Sequence, residues 1–289
     1  MSKNKLKKIK KKITKYFEKN SKKLFLCVFI LGFVIMMYPL VSQLYYRVES
    51  NKEIAQFNKD RMSFSSVDIQ NKIELAKEYN TTLDPIKIAD AFSEKQKAGI
   101  AEYGRMLAVR EKIGYIEIPK IDQKIPIYAG TPEEVLQKGA GHLEGTSLPV
   151  GGRNTHSVIT AHRGLPTAEL FTNLDKLEKG DIFYLHNVEK ILSYKVDKIL
   201  TVEPSDFKPI MVTIGSDYCT LLTCTPYMIN SHRLLVRGHR VPYIYNEHKE
   251  MEEKVTFTRY SKIVLGIIIL LILLVYFVKK TKKQNKPKK

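Results

Sequence analysis

Cysteine is scarce in this chain: three residues in 289 cannot build a disulfide framework. Glycine and proline, at 15 and 12, are too sparse for a collagen-like chain. Disorder is excluded from the other side, because 44% of the residues are hydrophobic. The length allows one or two domains. Acidic residues are almost missing from two segments. Residues 1–23 hold 11 Lys against the single acid Glu18, and residues 279–289 hold 7 Lys and no acid. Those tails carry nearly all of the +18 formal charge, and the body between them is close to neutral. A basic groove tracking nucleic-acid phosphates is therefore unsupported. GHLEGTSLPVGG lacks the lysine of a phosphate-binding loop, and no metal-ligand spacing of Cys and His occurs, so neither cofactor nor metal is expected.

An apolar run adjoins each basic tail. Leu24 to Tyr46 contains no charged residue. As a helix these 23 residues reach roughly 34 Å, enough for a bilayer core of about 30 Å. Pro39 is placed to kink it, and Tyr45 and Tyr46 suit the headgroup level. The run is long for a signal peptide, and no A-x-A-like cleavage site follows. Ile263 to Val278 is shorter, with 16 uncharged residues and a reach of about 24 Å; Lys262 and Lys279 can snorkel outward. The competing reading of that run is a buried core helix. With both Lys clusters on the cytoplasmic side, two spans place residues 47–261 outside the cell. The tails are expected to lie on anionic lipid or in solvent.

Residues 47–112 read as a helical arm. SSVDIQNKIELAKEYN spaces Val67, Ile69, Ile73, Ala76 and Tyr79 near a helical period, with Asn80 ending the turn. TTLDPIKIADAFSEKQ follows as a loop begun by Asp84-Pro85, and a second helical stretch runs from about Ser93 to Arg110. From Ile113 to about residue 245 the texture becomes β: GYIEIPKI, IPIYAG, HSVITAH, DIFYLHN, ILSYKVDKILTVE, YCTLLTC and RLLVRGHRV are short runs between turn residues. That spacing predicts a β-sandwich or barrel large enough for its own core. Thr131-Pro132-Glu133-Glu134 predicts a capping box with Pro at the first helical position, and Gly139 ends that short helix. Residues 246–262 read as a linker to the second apolar run.

Cys224 closes YCTLLTC just before Pro226, at a strand end where reactive groups are displayed. Cys219 lies an odd number of residues earlier and about 17 Å away along a strand, so the two cannot bridge. One buried and one exposed cysteine are expected; the bland reading of either is a small core hydrophobe. His162 ends HSVITAH before the turn residue Gly164, and an imidazole near a thiol can move its proton. His142, His156, His186, His232, His239 and His248 compete for that place. Beyond Cys224 come Arg233, Arg237 and Arg240; Arg233 and Arg237 share strand parity, and a guanidinium there suits an oxyanion.

Thr220-Leu-Leu-Thr-Cys224, Thr160-Ala-His162-Arg-Gly164 and Arg233 nine residues after the cysteine together resemble the sortases, membrane-bound cysteine transpeptidases of Gram-positive bacteria. GYIEIPKI, GHLEGTSLPVGG, NTHSVITAHRGLP and FTNLDKLEKGD are similar to the class C, pilin-polymerising branch, over roughly residues 110–245. The resemblance implies a mainly β fold, a closed barrel of about eight strands. It implies Cys224 as nucleophile, His162 as general acid/base and Arg233 as oxyanion stabiliser. It also implies cleavage of an LPxTG-like signal between Thr and Gly, with transfer of the thioacyl group to a pilin lysine. A sortase that anchors surface proteins to peptidoglycan, and an inactive scaffold for pilus assembly, are the alternatives. Class C enzymes carry a lid with Asp-Pro-aromatic. Here Asp90-Ala91-Phe92 has the acid and the ring without the proline, and Asp84-Pro85-Ile86 has Asp-Pro without the ring.

Overall fold

Period-two alternation of apolar residues from Ile113 onward produces eight strands: β1 (Lys112–Ile118), β2 (Gln123–Ala129), β3 (Ala140–His142), β4 (Thr155–Thr160), β5 (Ile182–His186), β6 (Ile191–Val202), β7 (Asp217–Thr225) and β8 (His232–Val241). In the computed structural model, which describes residues 3–83, 107–109 and 111–284, they close into one barrel in the order β1-β2-β3-β4-β7-β8-β6-β5. Closure leaves no free sheet edge. Two of the contacts, β2 with β3 and β4 with β7, are parallel.

Side-chain parity separates two apolar layers. Ile116, Ile118, Ile125, Ile127, Ile159, Phe183, Leu221, Leu234 and Val236 point inward and form the main core. On the outer face of the β4-β7-β8-β6 wall a second, smaller cluster joins Leu143, Val158, Ile210, Leu222 and Leu235, with Leu200, Val202 and Phe207 against it. The expected closed barrel of about eight strands is thus present, with its outer wall partly apolar.

The N-terminal helix differs from expectation in extent. α1 (Lys3–Arg61) runs through Pro39 without a break and is about 88 Å long. Among the described residues, one stretch, Cys27–Arg61, is long and apolar enough to cross a membrane. Past Tyr46 the same helix lies along the barrel. Tyr46 Oη donates to Lys138 O at 3.0 Å, Arg47 pairs with Asp122 at 2.8 Å, and Ser50 Oγ donates to Lys124 O at 3.0 Å. Ile54 and Phe57 are buried, Phe57 meeting Tyr115 edge to face. Ser50, Ile54, Phe57 and Arg61 recur at helical spacing, which fixes the docking face.

α2 (Ser66–Thr81) begins with a capping box between Ser65 and Asp68. Asn80 does not end it. The helix continues to Thr81, and the Asn80 amide exchanges two hydrogen bonds with the backbone of Leu148. The helix expected from Ser93 to Arg110 falls mostly outside the described residues. Its described end is not helical, since Val109 forms a β-bridge with Lys112. Both lid candidates, Asp90 with Phe92 and Asp84-Pro85-Ile86, also lie outside the described residues.

α3 (Glu133–Lys138) starts one residue later than the capping-box reading. Pro132 sits in the cap position with extended backbone and no side-chain acceptor. Gly139 ends it as expected. The stretch 246–262, read as a linker, is instead the first half of α4 (Tyr245–Gln284), which continues unbroken through the second apolar run. Asp122, on the tight turn after β1, ties the two long helices together by pairing with Arg47 of α1 and Arg259 of α4.

Candidate functional site

The C-terminal end of β7 carries the thiol because TLLTC alternates around the barrel wall. Cys219 and Leu221 point into the core; Thr220, Leu222 and Cys224 point out. Burial pushes the Cys219 thiol far up, out of nucleophilic use. The expectation of one buried and one exposed cysteine is corrected in one respect: Cys224 is also largely covered, at 7% exposure. It differs from Cys219 in the face of β7 it occupies, the outer one.

Two neighbours flank it by register. β4 runs parallel to β7 with Thr160 opposite Leu222, and Ala161 N donates to Leu222 O at 3.2 Å. Thr223 Oγ1 donates back to Ala161 O at 2.8 Å. His162, the next residue, therefore comes off β4 beside Cys224. On the other side β8 runs antiparallel, with Arg233 directly opposite Cys224. Of the candidate histidines and arginines, these two flank Cys224 in the strand register, with His232 one position further on, opposite Thr225.

His162 Nε2 lies 3.2 Å from Glu133 Oε1, at the first residue of α3. Glu133 was not singled out in the sequence; only its position in the capping pattern hinted at a fixed orientation. Arg233 Nη1 donates to the carbonyls of Asn230 and His232, both at 3.1 Å, which holds the guanidinium against the β7–β8 turn. Arg163, quoted in the motif but given no role, braces the loop after β4. It donates to Thr172 O and Thr225 Oγ1 and pairs with Asp175 at 2.7 Å. Gly164 follows at φ +85°, and a Cβ there would sit 3.0 Å from the Tyr227 ring, so only glycine suits this turn.

The competitors have other partners. Arg237 makes a two-pronged pair with Asp197, both contacts at 3.0 Å, and stacks on Tyr218. Arg240 packs over Tyr194. His232 pairs with Glu203, and His239 lies 3.8 Å from Asp197. His142 bonds Ser147 O through Nε2 at 2.8 Å, and His156 bridges Met211 O and Thr220 Oγ1. Burial holds the last two histidines from the usual 6.5 down to about 4.

A pH prediction follows from those two buried rings. The unfolded chain takes up their protons near 6.5, whereas the folded chain resists until about 4. Stability is therefore held above the unfolded pKa and lost as pH falls through the window between the two values, by on the order of 3 kcal/mol per ring. Urea unfolding of the full chain in detergent should give a clearly lower free energy at about pH 4.5 than at about pH 7, with a shallower fall in a His156→Gln variant. A flat profile across that window would contradict the assignment.

Two cavities among the described residues lie away from Cys224. The larger, about 730 Å³, is where α1 and α4 meet the barrel beside Arg47, Asp122 and Arg259. The Cys224 end of the outer wall is bordered instead by the exposed Tyr227, Met228 and Ile229.

The sortase domain family matches residues 116–241. The chain is 60% identical to a crystal structure of Streptococcus pneumoniae sortase C, with a TM-score of 0.64, covering 66% of this chain and 97% of that one; the published description of that structure concerns catalysis and pilin substrate specificity. A pilus-related sortase C of Group B Streptococcus is 55% identical with a TM-score of 0.63, covering 65% of this chain and 96% of that one. Among curated proteins, sortase A of Streptococcus agalactiae is 33% identical over 116 residues, 39% of this chain and 47% of that protein. Sortase D of Bacillus subtilis is 30% identical over 131 residues, 44% of this chain and 63% of that protein. The chain spans less than two thirds of the length of either curated relative.

Proposed function

The chain belongs to the sortase family, and from that premise we propose that it is a class C cysteine transpeptidase that joins pilin subunits outside the cell. The observation that carries the reading is the register at the end of β7, which sets Cys224 opposite Arg233 on one side and next to His162 on the other.

In this reading Cys224 Sγ attacks the carbonyl carbon of the Thr–Gly bond in an LPxTG-like signal. His162 exchanges the thiol proton and passes a proton to the departing glycine amine. Glu133 orients the ring. The Arg233 guanidinium, pinned by two backbone carbonyls, donates to the oxygen on which charge develops. The products of this half are a thioester on Cys224 and a free N-terminal glycine. A lysine amine of the next subunit then attacks the thioester carbonyl. An isopeptide bond forms and the thiol is released, so atoms and charge balance without a cofactor.

The relatives favour pilin work over wall anchoring, because two of the solved structures are described in terms of pilin specificity or the pilus. A dead scaffold is disfavoured by the presence of all three reactive groups at one strand end. We also infer a two-span topology. α1 crosses at its apolar stretch, α4 crosses at Ile263 to Val278, and both Lys-rich tails face the cytoplasm. This brings an LPxTG-bearing partner, itself held by membrane lipid, to the site in two dimensions. Incubating the full chain in detergent with purified pilin subunits should give a ladder of covalent multimers on a denaturing gel. Single-subunit hydrolysis or transfer to a wall-peptide amine, with no ladder, would favour the anchoring alternative.

A further inference from the structure

The β1–β5 side of the barrel, three to four strands round from β7, holds a buried cluster that the chemistry above does not use. Glu117 of β1 and His186 of β5 project outward there, and His248 of α4 lies over them. All three residues are more than nine-tenths buried. Glu117 Oε2 is 3.4 Å from His186 Nε2 and 3.2 Å from His248 Nε2, and the three atoms lie within 4.8 Å of one another. Apart from those mutual contacts the three converging, buried atoms have no hydrogen-bond partner among the described residues, and a shared ion would satisfy all of them.

The surroundings define its chemistry. The other carboxylate oxygen, Glu117 Oε1, is taken by Lys124 Nζ at 3.3 Å, which leaves Oε2 as the inward-facing atom. Tyr115 stacks on His186 at 4.1 Å and Tyr184 packs on His248 at 4.0 Å, so both rings are held in place. His248 Nδ1 lies 3.0 Å from Tyr243 Oη. A proton on Nδ1, donated to that oxygen, leaves Nε2 with its lone pair toward the cluster, the outer-shell arrangement of metal-bound histidine. Bonds of about 2.0–2.1 Å from a tetrahedral ion set ligand atoms about 3.3 Å apart, which the two short separations here match.

We propose that Glu117, His186 and His248 bind a divalent transition-metal ion of the Zn2+ type, and that the ion fastens the start of α4 to the barrel wall. Two ligands belong to the barrel and the third lies in the first turn of the helix that carries the second apolar run. The ion therefore sets how the barrel is held relative to that helix. No sequence spacing announces the set, because each ligand comes from a different element.

The test uses the full chain in detergent with a Cys224→Ala background, so that the site at β7 cannot supply a thiolate ligand. Zn2+ is titrated against a chromophoric chelator, Co2+ serves as the spectroscopic probe, and circular dichroism checks each variant's fold. One equivalent of Zn2+ is expected, with visible bands of four-coordinate Co2+. Glu117→Gln and His248→Gln should each weaken binding by at least about tenfold, and Tyr243→Phe, in the outer shell, by about tenfold. Zn2+ should also slow trypsin cleavage after Lys249 in the background chain but not in His248→Gln. Should His248→Gln fail to fold, His186→Gln and Tyr243→Phe carry the same comparison. Absence of stoichiometric binding, or binding unchanged by Glu117→Gln and His186→Gln, would overturn the proposal.

Discussion

A Cys224→Ala chain is expected to lose pilin joining by at least about 10³-fold while keeping its fold. The loss is large because the described structure offers no substitute nucleophile. Cys219 is fully buried in the main core with its thiol pushed far up. Cys27 lies in α1, within the stretch apolar enough to cross a membrane. A serine hydroxyl does not replace the thiolate, since the neighbouring ring must deprotonate a much weaker acid. The fold should survive because Cys224 belongs to neither apolar cluster, and removing its sulfur opens no core cavity. Ladder formation by the variant at a rate near that of the parent chain would refute the mechanism.

The second large effect is expected at Arg233. Its position opposite Cys224 and its two carbonyl anchors prepare a planar donor before substrate arrives. Lysine keeps the charge but loses the fork and cannot make the same anchors while reaching the oxyanion. Arg233→Lys should therefore lower kcat by about 10²-fold, the loss seen when one oxyanion donor is removed, with a smaller change in KM. Labelling of Cys224 by a small thiol reagent should persist, because that reaction forms no tetrahedral oxyanion. Arg237→Lys is the control. That guanidinium is committed to Asp197 and Tyr218, so the change should reduce thermal stability and leave kcat near the parent value. Equal losses at the two positions would mean that Arg233 acts only through folding.

Much of this site was legible because a strand's period is strict. TLLTC and HSVITAH fix which residues share a face, and the end of each run was marked by Pro226 or Gly164. What parity does not give is which strands lie side by side. That His162 falls next to Cys224 depends on β4 pairing in parallel with β7, a contact between distant segments. The same limit hid the cluster of Glu117, His186 and His248. The late start of α3 was missed because proline suits both the cap and the first helical position, and only the backbone distinguishes them. The length of α1 was underestimated because its character changes from an exposed apolar stretch to a barrel-facing one at Tyr46. The polar texture beyond that point conceals a narrow apolar face at Ile54 and Phe57. Cys224 was expected to be exposed because a strand end beside a turn usually is; in the fold it is 7% exposed.

Intact-mass and peptide-level mass spectrometry of the full chain after incubation with an LPxTG peptide bears most directly on the chemistry. The expected species is the parent mass plus the acyl fragment ending at threonine, located on Cys224 and discharged by an added amine. An adduct on any other residue, or cleavage of the peptide with no hydroxylamine-sensitive mass at Cys224 at any time point, would contradict the thioacyl account.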